Sequence, residues 1–352
     1  MKIGISYWGF CEKFVDSQVS KTPDGHRYGR PLFVDELLKR GHEVFALQTQ
    51  REVRPYPGIQ YDSTGFPELD VVFFEWRWPT YKNSGPAKFE RDLDRQTELL
   101  EHYHGQTPVV VWDCDLKLTP ADEACWPKMI VADPTLQPKD FIIKRVRLPF
   151  WSDFELLMPL SNTNLEFGYV GNNYERAEMF KKYYSDAAQP LRELGVQTRV
   201  VGNWLERSPE REQPEEIITN YPHVAFFNRV GFYESMHILN KLISTVHITK
   251  GRYASQGFVS PRYLESLVVG MPALVPVEFA NSSILGKEWV VSNSADVVKK
   301  VEMLKGLDVQ ARNQVVNAQA TALQCTCDFS VEAAVCFFEE IAANPGTATK
   351  NI

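Results

Sequence analysis

Short apolar runs alternate with amphipathic segments along the first half of the chain. Runs typical of buried strands occupy residues 2–8, 43–47, 70–75, 108–113 and 128–132. Between them, residues 31–39 and 87–103 have the spacing of amphipathic helices. Because strands that alternate with helices pair in parallel, this pattern predicts a doubly wound α/β sheet.

Residues 148–164 interrupt the alternation, since they are rich in Pro, Trp, Ser and Asn and have no periodicity. Beyond them the sequence predicts strands at 167–171, 197–201 and 245–249, helices at 175–195 and 234–242, and a strand or short linker at 223–227. We therefore predict an N-terminal Rossmann-like domain over 1–155 and a C-terminal one over 165–328. A last amphipathic pattern predicts a helix at 330–342, capped by Asp328 or Ser330.

The most informative segment, residues 257–276, reads as a glycine-containing loop, a short helix and a buried strand. Ser260 is a suitable N-cap, and Gly270 is placed to end the helix. Such a helix start offers free N–H groups and a positive dipole end to an anion, and Arg262 adds a charge there. Glu265, about one turn further in, could hold a sugar hydroxyl or could be an ordinary solvated residue.

This segment resembles the signature of nucleotide-sugar glycosyltransferases of the GT-B fold, group 1 class. In those proteins a Gly-Phe loop precedes a helix whose glutamate binds the donor ribose, and a Gly-x-Pro turn follows. Glu265 matches the ribose glutamate, and Gly270-Met271-Pro272 matches the turn. Many relatives carry an earlier glutamate that contacts the donor sugar, whereas this chain has Gly257 there, with Gln256 beside it.

The resemblance implies two doubly wound Rossmann-like domains facing an interdomain cleft, with a terminal helix, here 329–345, packed back on the first domain. It implies a nucleoside-diphosphate sugar as donor, first of all a UDP-sugar, and retention at the anomeric carbon. No metal or other cofactor is implied. Arg176, Arg262 and the helix start at Ser260 would then stabilise the departing diphosphate.

Two further loops supply donor-site candidates. Gly171 turns the chain after the first strand of the second domain, and Arg176 follows at a helix start, where similar transferases neutralise the diphosphate. Lys250 follows a strand, and open α/β sheets bind ligands at the carboxyl ends of their strands. Arg252 is an alternative to Lys250, and each of these cations also fits an ordinary surface position.

In the first domain, Gly9 follows the first strand, where similar transferases approach the donor sugar closely, so it is a further donor-site candidate. The acceptor candidates are also in this domain: His26, Arg27, Trp76, Arg77 and Trp78. Two exposed tryptophans around an arginine suit stacking on a base or sugar, and packing between domains is the alternative. Asp113, in the run Asp113-Cys114-Asp115, is a candidate general base for an acceptor hydroxyl or a cap for the following turn.

Composition narrows the function classes only slightly. The 352-residue chain is 44% hydrophobic and 24% charged, as in ordinary globular proteins. No apolar run reaches about 18 residues, so no membrane span is expected. The N-terminus reads as a strand rather than a signal peptide, and the six scattered cysteines form no zinc pattern, so we expect a cytoplasmic protein.

The expected acceptor is double-stranded DNA with a modified base such as 5-hydroxymethylcytosine, because the C-terminal half also resembles bacteriophage enzymes that glycosylate hydroxymethylated bases. The net charge of −7 gives no general attraction to DNA, but Lys144, Arg145 and Arg147 could meet phosphates locally. A polysaccharide, protein or small-molecule acceptor is one alternative. The other is a non-catalytic two-lobed protein that binds a small ligand.

Overall fold

The computed structural model describes residues 1–7, 11, 27–48, 56–76, 90–161, 165–207, 213–326 and 328–344. The chain divides into two compact units. The first contains the described residues up to Asp153 together with 329–344, and the second contains the described residues from Phe154 to Asp328.

A parallel sheet forms the centre of the first unit. Its seven described strands are β1 Lys2–Ser6, β2 Glu43–Ala46, β3 Ile59–Tyr61, β4 Val71–Glu75, β5 Val109–Trp112, β6 Ile130–Asp133 and β7 Val146–Arg147. They lie in the order β3-β2-β1-β4-β5-β6-β7. Every residue of β4, β5 and β6 is buried, as expected for parallel strands covered on both faces. The order reverses between β1 and β4, which is the topological switch point of such a sheet.

Three helices of this unit follow from their local sequence: α1 Gly29–Lys39, α2 Glu90–Tyr103 and α3 Pro120–Cys125. Helix α2 turns Leu99, Leu100 and Tyr103 into the core. A capping box fixes the start of α3, because the Thr119 hydroxyl accepts from the Asp122 N–H and the Asp122 carboxylate accepts from the Thr119 N–H.

The second unit repeats this plan. Its strands are β8 Glu166–Val170, β9 Gln197–Val201, β10 Val224–Phe227, β11 Thr245–Val246, β12 Ala273–Pro276 and β13 Val290–Val291. Two three-stranded parallel sheets, β10-β9-β8 and β11-β12-β13, are joined by the hydrogen bond from the Ile243 N–H to the Glu166 carbonyl, 2.7 Å. The switch point therefore lies between β8 and β11. Residues 224–227 are a strand and not a linker, and the predicted 245–249 strand ends at Val246.

The helices of the second unit cover this sheet: α4 Ala177–Phe180, α5 Asp186–Glu193, α6 Pro214–Asn220, α7 Phe232–Lys241, α8 Gly251–Ser255, α9 Pro261–Val268, α10 Ser294–Lys305 and α11 Val309–Thr326. A π-helical turn, Lys181–Ser185, joins α4 to α5. It directs Tyr183 and Tyr184 into an aromatic core with Phe167 and Phe180.

The last helix, α12 (Val331–Ala343), belongs to the first unit. The Ser330 hydroxyl accepts the Ala333 N–H and so caps it, as one of the two predicted alternatives. Phe338 packs on Phe33 of α1, with ring centroids 5.3 Å apart. At the rim, Arg40 donates to the Glu339 carboxylate at 2.9 Å.

Candidate functional site

The carboxyl ends of β8 and β11 form the switch point of the second unit. Three predicted donor-site segments come after these strands in the sequence. Gly171 follows β8, Lys250 follows β11, and α9 begins at Pro261. Open α/β sheets bind their ligands at this position, because neighbouring helices and loops diverge there and leave a crevice.

Helix α9 has the predicted ends. Pro261 is its first residue, and Gly270 adopts φ +72° while the Met271 N–H bonds the Ser266 carbonyl, closing the helix with a glycine cap. Ser260 has the extended backbone of an N-cap, but its side chain makes no capping hydrogen bond. The Ser260 side chain therefore does not occupy the N–H groups in the first turn of α9.

Glu265 is not a solvated surface residue. Its side chain is 0% exposed, and its Oε2 accepts a hydrogen bond from Arg262 Nη1 at 2.6 Å. Arg262 itself is 32% exposed. A buried carboxylate held by a neighbouring guanidinium costs much desolvation, which favours a functional role over an ordinary helix position.

His247 supports α9 from the end of β11. Its ring stacks on Tyr263 at a centroid distance of 3.9 Å, and its Nε2 lies 3.1 Å from the Ser266 hydroxyl. Burial, and secondarily the charge of Arg262, lowers the pKa of His247 to about 3. A neutral imidazole therefore packs directly behind the face that carries Glu265. This residue was not predicted from the sequence, where its only signal is a histidine inside an apolar run.

The loop after β8 is tied to the loop after β9. The Asn173 N–H donates to the Asn203 side chain at 2.7 Å, and the Asn203 N–H donates to the Asn172 side chain at 3.2 Å. Gly202 is in close contact with Gly171, since a Cβ at Gly202 would lie 2.1 Å from the Gly171 carbonyl oxygen. These contacts fix the Gly171 turn in one conformation.

The two predicted cations of these loops have protein partners. Arg176 Nη1 donates to the Asn172 and Tyr174 carbonyls, at 3.0 and 3.2 Å, and so stiffens its own loop. Lys250 donates to Glu175 at 2.9 Å, and Glu175 adopts the uncommon φ of +55°. The structure thus connects the β8 and β11 loops through one ion pair, which a phosphate would compete for.

Four candidates of the first unit lie outside the described residues: the donor-site candidate Gly9 and the acceptor candidates His26, Arg77 and Trp78. Arg27 is buried. Trp76 is also buried, so its predicted exposure is wrong. Trp76 directly follows β4 and belongs to the same buried hydrophobic cluster as Leu69 and Leu99, so the core extends beyond the end of the strand.

A buried ion pair at the switch point of the first unit was not predicted. Arg30 donates to both carboxylate oxygens of Glu75, at 2.8 and 2.6 Å, and its guanidinium lies 5.2 Å from the centre of the Tyr7 ring. The Tyr7 hydroxyl has no hydrogen-bond partner among the described residues. Arg30 and Glu75 are far apart in sequence, so no local pattern could have paired them.

The structure places Asp113 in a buried cluster. Arg145 Nη1 donates to Asp113 at 3.0 Å and Asp133 at 3.2 Å, and Arg145 Nη2 donates to Glu123 at 3.2 Å. The other oxygen of Asp113 accepts the Lys117 and Leu118 N–H groups. Asp113 is therefore placed to cap its turn, the alternative to a base. Arg145 is 3% exposed, so its expected contact with phosphate is wrong.

The Asp113 turn presents a second carboxylate. Leu116 adopts φ +51°, which is uncommon for a residue other than glycine, and the Asp113 contacts hold it there. Asp115 precedes it and is half-buried. Strained backbone at a strand's carboxyl end marks this turn as a candidate position for a functional carboxylate.

Among the described residues, no group of three or more His, Cys, Asp or Glu side chains is arranged to hold a metal ion. No helix in the same part of the chain has both the length and the hydropathy required to cross a membrane.

No protein-family model matches this sequence, and no curated protein sequence is significantly similar to it. Solved structures do match over nearly the whole chain. Phage T4 β-glucosyltransferase with UDP and Mn²⁺ superposes with a TM-score of 0.65 at 15% identity, covering 97% of this chain and 99% of that chain. An α-glucosyltransferase in complex with UDP and a 13-mer DNA containing an HMU base gives 0.63 at 14%, covering 97% and 99%.

A third neighbour comes from a different biological context. A glycosyltransferase involved in avilamycin A biosynthesis superposes with a TM-score of 0.58 at 14% identity, covering 98% of this chain and 97% of that chain. At these identities the likeness concerns the fold alone. Together with two Rossmann-type units, each with its strand order reversed at a switch point, it establishes that the chain has the GT-B fold of glycosyltransferases.

Proposed function

We propose that this chain is a glycosyltransferase that moves a sugar from a UDP-sugar to the hydroxyl group of a modified base in double-stranded DNA. One observation carries the proposal. At the switch point of the second unit, a fully buried Glu265 lies one turn behind an uncapped helix start, with Arg262 between them in sequence. This arrangement offers a carboxylate to ribose hydroxyls and N–H groups with a cation to phosphates.

The donor would bind through the following contacts. Glu265 accepts hydrogen bonds from the ribose hydroxyls, while Arg262 turns from Glu265 toward the diphosphate. Arg176 and Lys250 add positive charge, and the fixed Gly171 turn lets the backbone approach the ligand. Two structural neighbours were solved with UDP, and another with UDP-glucose, which supports UDP-glucose as the donor to test first.

The acceptor part of the proposal rests on the structural neighbours. One neighbour is described as a DNA-modifying enzyme, and another contains DNA with an HMU base. We therefore propose a 5-hydroxymethylated pyrimidine, with 5-hydroxymethylcytosine first. A small-molecule acceptor is the second candidate, and the neighbour from antibiotic biosynthesis supports it.

The transfer can proceed with either retention or inversion of configuration at the anomeric carbon of the sugar. The group 1 resemblance implies transfer of a hexosyl or pentosyl group with retention of configuration at the anomeric carbon. In that course the departing diphosphate needs positive charge more than the acceptor needs a base. The described turn supports inversion instead, with Asp115 as general base, because Asp113 is buried and engaged while Asp115 is half-buried at the same strand end. The anomeric configuration of the product distinguishes these two courses.

A bound metal has no evident protein site in the described residues, although one neighbour was solved with Mn²⁺ beside UDP. The arginines and the α9 start would carry the charge of the leaving group themselves.

The experiment is a transfer assay with UDP-glucose and five acceptors: a hydroxymethylcytosine duplex, an unmodified duplex, a polysaccharide, a soluble sugar and a peptide. We expect glucose on the modified duplex alone, together with slow donor hydrolysis when no acceptor is added. Transfer only to a soluble sugar or peptide would reject the DNA acceptor and keep the transferase. UDP-glucose binding without hydrolysis or transfer to any acceptor would favour a non-catalytic binding protein.

A further inference from the structure

A loop on the first unit presents an apolar tip to solvent. It runs from β6 to β7, and at its tip Phe141 and Ile142 are 46% and 59% exposed. Single exposed apolar residues are common on protein surfaces. Two adjacent exposed apolar residues at the tip of a loop are less common, and the contacts of this loop keep both of them in the exposed position.

The buried Arg145 cluster fixes this tip. Glu123, fully buried on α3, accepts the Ile142 and Ile143 N–H groups with one oxygen, at 2.7 and 2.8 Å. The guanidinium of Arg145 lies 4.6 Å from the centre of the Phe141 ring. Burying one guanidinium with three carboxylates gives little net stability, so its value lies in specifying one conformation of the loop. The apolar pair is thus prevented from collapsing onto the core.

Among the exposed charged side chains of this loop and of β7, cations outnumber anions. Lys139 and Lys144 are exposed on its two sides, and Arg147 of β7 is partly exposed behind it. Asp140 is the acidic residue of the loop, and it accepts the Arg145 N–H at 2.8 Å. An apolar tip between two cations suits a nucleic-acid groove, where apolar side chains can wedge between base steps while the cations contact the flanking phosphates.

The loop also lies at the edge of the sheet where ligands bind. It leaves the carboxyl end of β6, and β7 pairs with β6 at that same end, through Ala132 with Val146 and Asp133 with Arg147. Two strand spacings separate β6 from β4 at the switch point. That is roughly 10 Å, or about three base-pair steps of B-form DNA.

We propose that the 136–144 loop docks duplex DNA beside the target base, with Phe141 and Ile142 entering a groove and Lys139 and Lys144 contacting the flanking phosphates. This inference rests on the proposed function. An apolar wedge compensates part of the unstacking that bending or base extrusion requires, and the rigid loop contributes it without an entropy cost at binding.

The test measures binding of a fluorescent hydroxymethylated duplex to the full chain by anisotropy, at several salt concentrations. Phe141→Ser with Ile142→Ser should weaken binding by about 10-fold with an unchanged salt slope. Lys139→Gln with Lys144→Gln should weaken binding and reduce the slope by about 2. Both should leave the slow hydrolysis of UDP-glucose unchanged. The matched controls are Ile218→Ser and Lys299→Gln, which change exposed residues of the second unit. Both control variants should bind the duplex like the parent.

Sugar transfer separates the possible failures. If the parent transfers sugar to the modified duplex and both loop variants bind and react like the parent, the docking loop is wrong and the proposed function stands. If the parent neither binds nor modifies any duplex, the proposed acceptor fails and the docking inference fails with it. A dimer in sedimentation that Phe141→Ser with Ile142→Ser disrupts, together with unchanged DNA binding, would assign the tip to a second copy instead and overturn the inference.

Discussion

The pairing of Glu265 with Arg262 is the most informative contact at the scale of single residues. The sequence predicted both positions as donor ligands, because a helix start and the residue one turn inside it can serve phosphate and ribose together. It did not predict that they bond each other at 2.6 Å. Arg262 and Glu265 are three residues apart on a helix, and this spacing permits an ion pair. The pair is strong because the Glu265 side chain is buried and so shielded from water.

Glu265→Ala should weaken UDP binding by roughly 10- to 100-fold, because charge-assisted hydrogen bonds to ribose are lost. Titration calorimetry with UDP measures this directly, and Glu265→Gln should fall between the parent and the alanine variant. Unchanged affinity in a folded Glu265→Ala protein would rule out the ribose role.

Removing an arginine should lower turnover more than stability, since negative charge on the leaving group grows in the transition state. Arg176→Ala is the cleaner variant, because Arg262→Ala also removes the cation beside the buried Glu265 carboxylate. We expect kcat to fall by at least about 10-fold with little change in Tm, and poor rescue by lysine.

The control is Arg192→Ala, which changes an exposed arginine of α5. Normal turnover in Arg176→Ala would place the diphosphate elsewhere, first at Lys250 and Arg252.

Asp115→Asn tests the general base. An inverting reaction with Asp115 as base should lose about 100-fold or more in kcat, while UDP affinity stays unchanged. A modest loss together with a retained anomeric configuration would restore the retaining course that the resemblance implies.

At the scale of elements, local signals predicted helix ends better than strand lengths. Gly270 and Pro272 ended α9 as expected, because a glycine cap and a following proline act within a few residues. The 245–249 strand is shorter than its apolar run, since Ile248 bonds back to Val246 and leaves the ladder. The capping box of α3 was visible as Thr119 and Asp122, but the helix was too short to show a period.

His247 predicts how the packing behind α9 responds to acid. Its folded-state pKa of about 3 lies below the unfolded value of about 6.5, so the unfolded state binds the proton more readily. Stability is therefore unaffected above pH 6.5 and is lost as the pH falls below it, by about 2 kcal/mol at pH 5. Urea unfolding at pH 7.5 and 5.0 measures how much the free energy of unfolding falls between these two pH values. In His247→Gln, which keeps a hydrogen-bond partner for Ser266, this fall should be smaller than in the parent by about 2 kcal/mol. Parallel losses in parent and variant would contradict this account, and the exposed His102→Gln is the control.

At the scale of the whole molecule, the alternation of strands and helices was sufficient to predict two Rossmann-like halves, but not the contacts inside them. Arg30 with Glu75 and Arg145 with its three carboxylates join residues from helices, strands and loops that are distant in sequence. No local pattern encodes such pairs. The burial of Trp76 was missed for the same reason, because its neighbours Leu69 and Leu99 come from other elements.

Metal dependence is a property of the assembled active enzyme. If the arginines and the α9 start hold the diphosphate, EDTA should reduce transfer by less than about 10-fold, and added Mn²⁺ should restore whatever is lost. Complete loss of transfer in EDTA, reversed by Mn²⁺, would show that the leaving group depends on a metal.

Nucleoside mass spectrometry of cellular DNA would show whether this chain transfers a sugar to modified bases. Cells would express this chain together with an enzyme that makes 5-hydroxymethylcytosine, and their DNA would be digested and analysed beside that of cells expressing Glu265→Ala. The account predicts a hexosylated hydroxymethylcytosine nucleoside with the parent chain, and little or none with the variant. Hydroxymethylcytosine that remains wholly unglycosylated beside abundant, folded parent protein would contradict it.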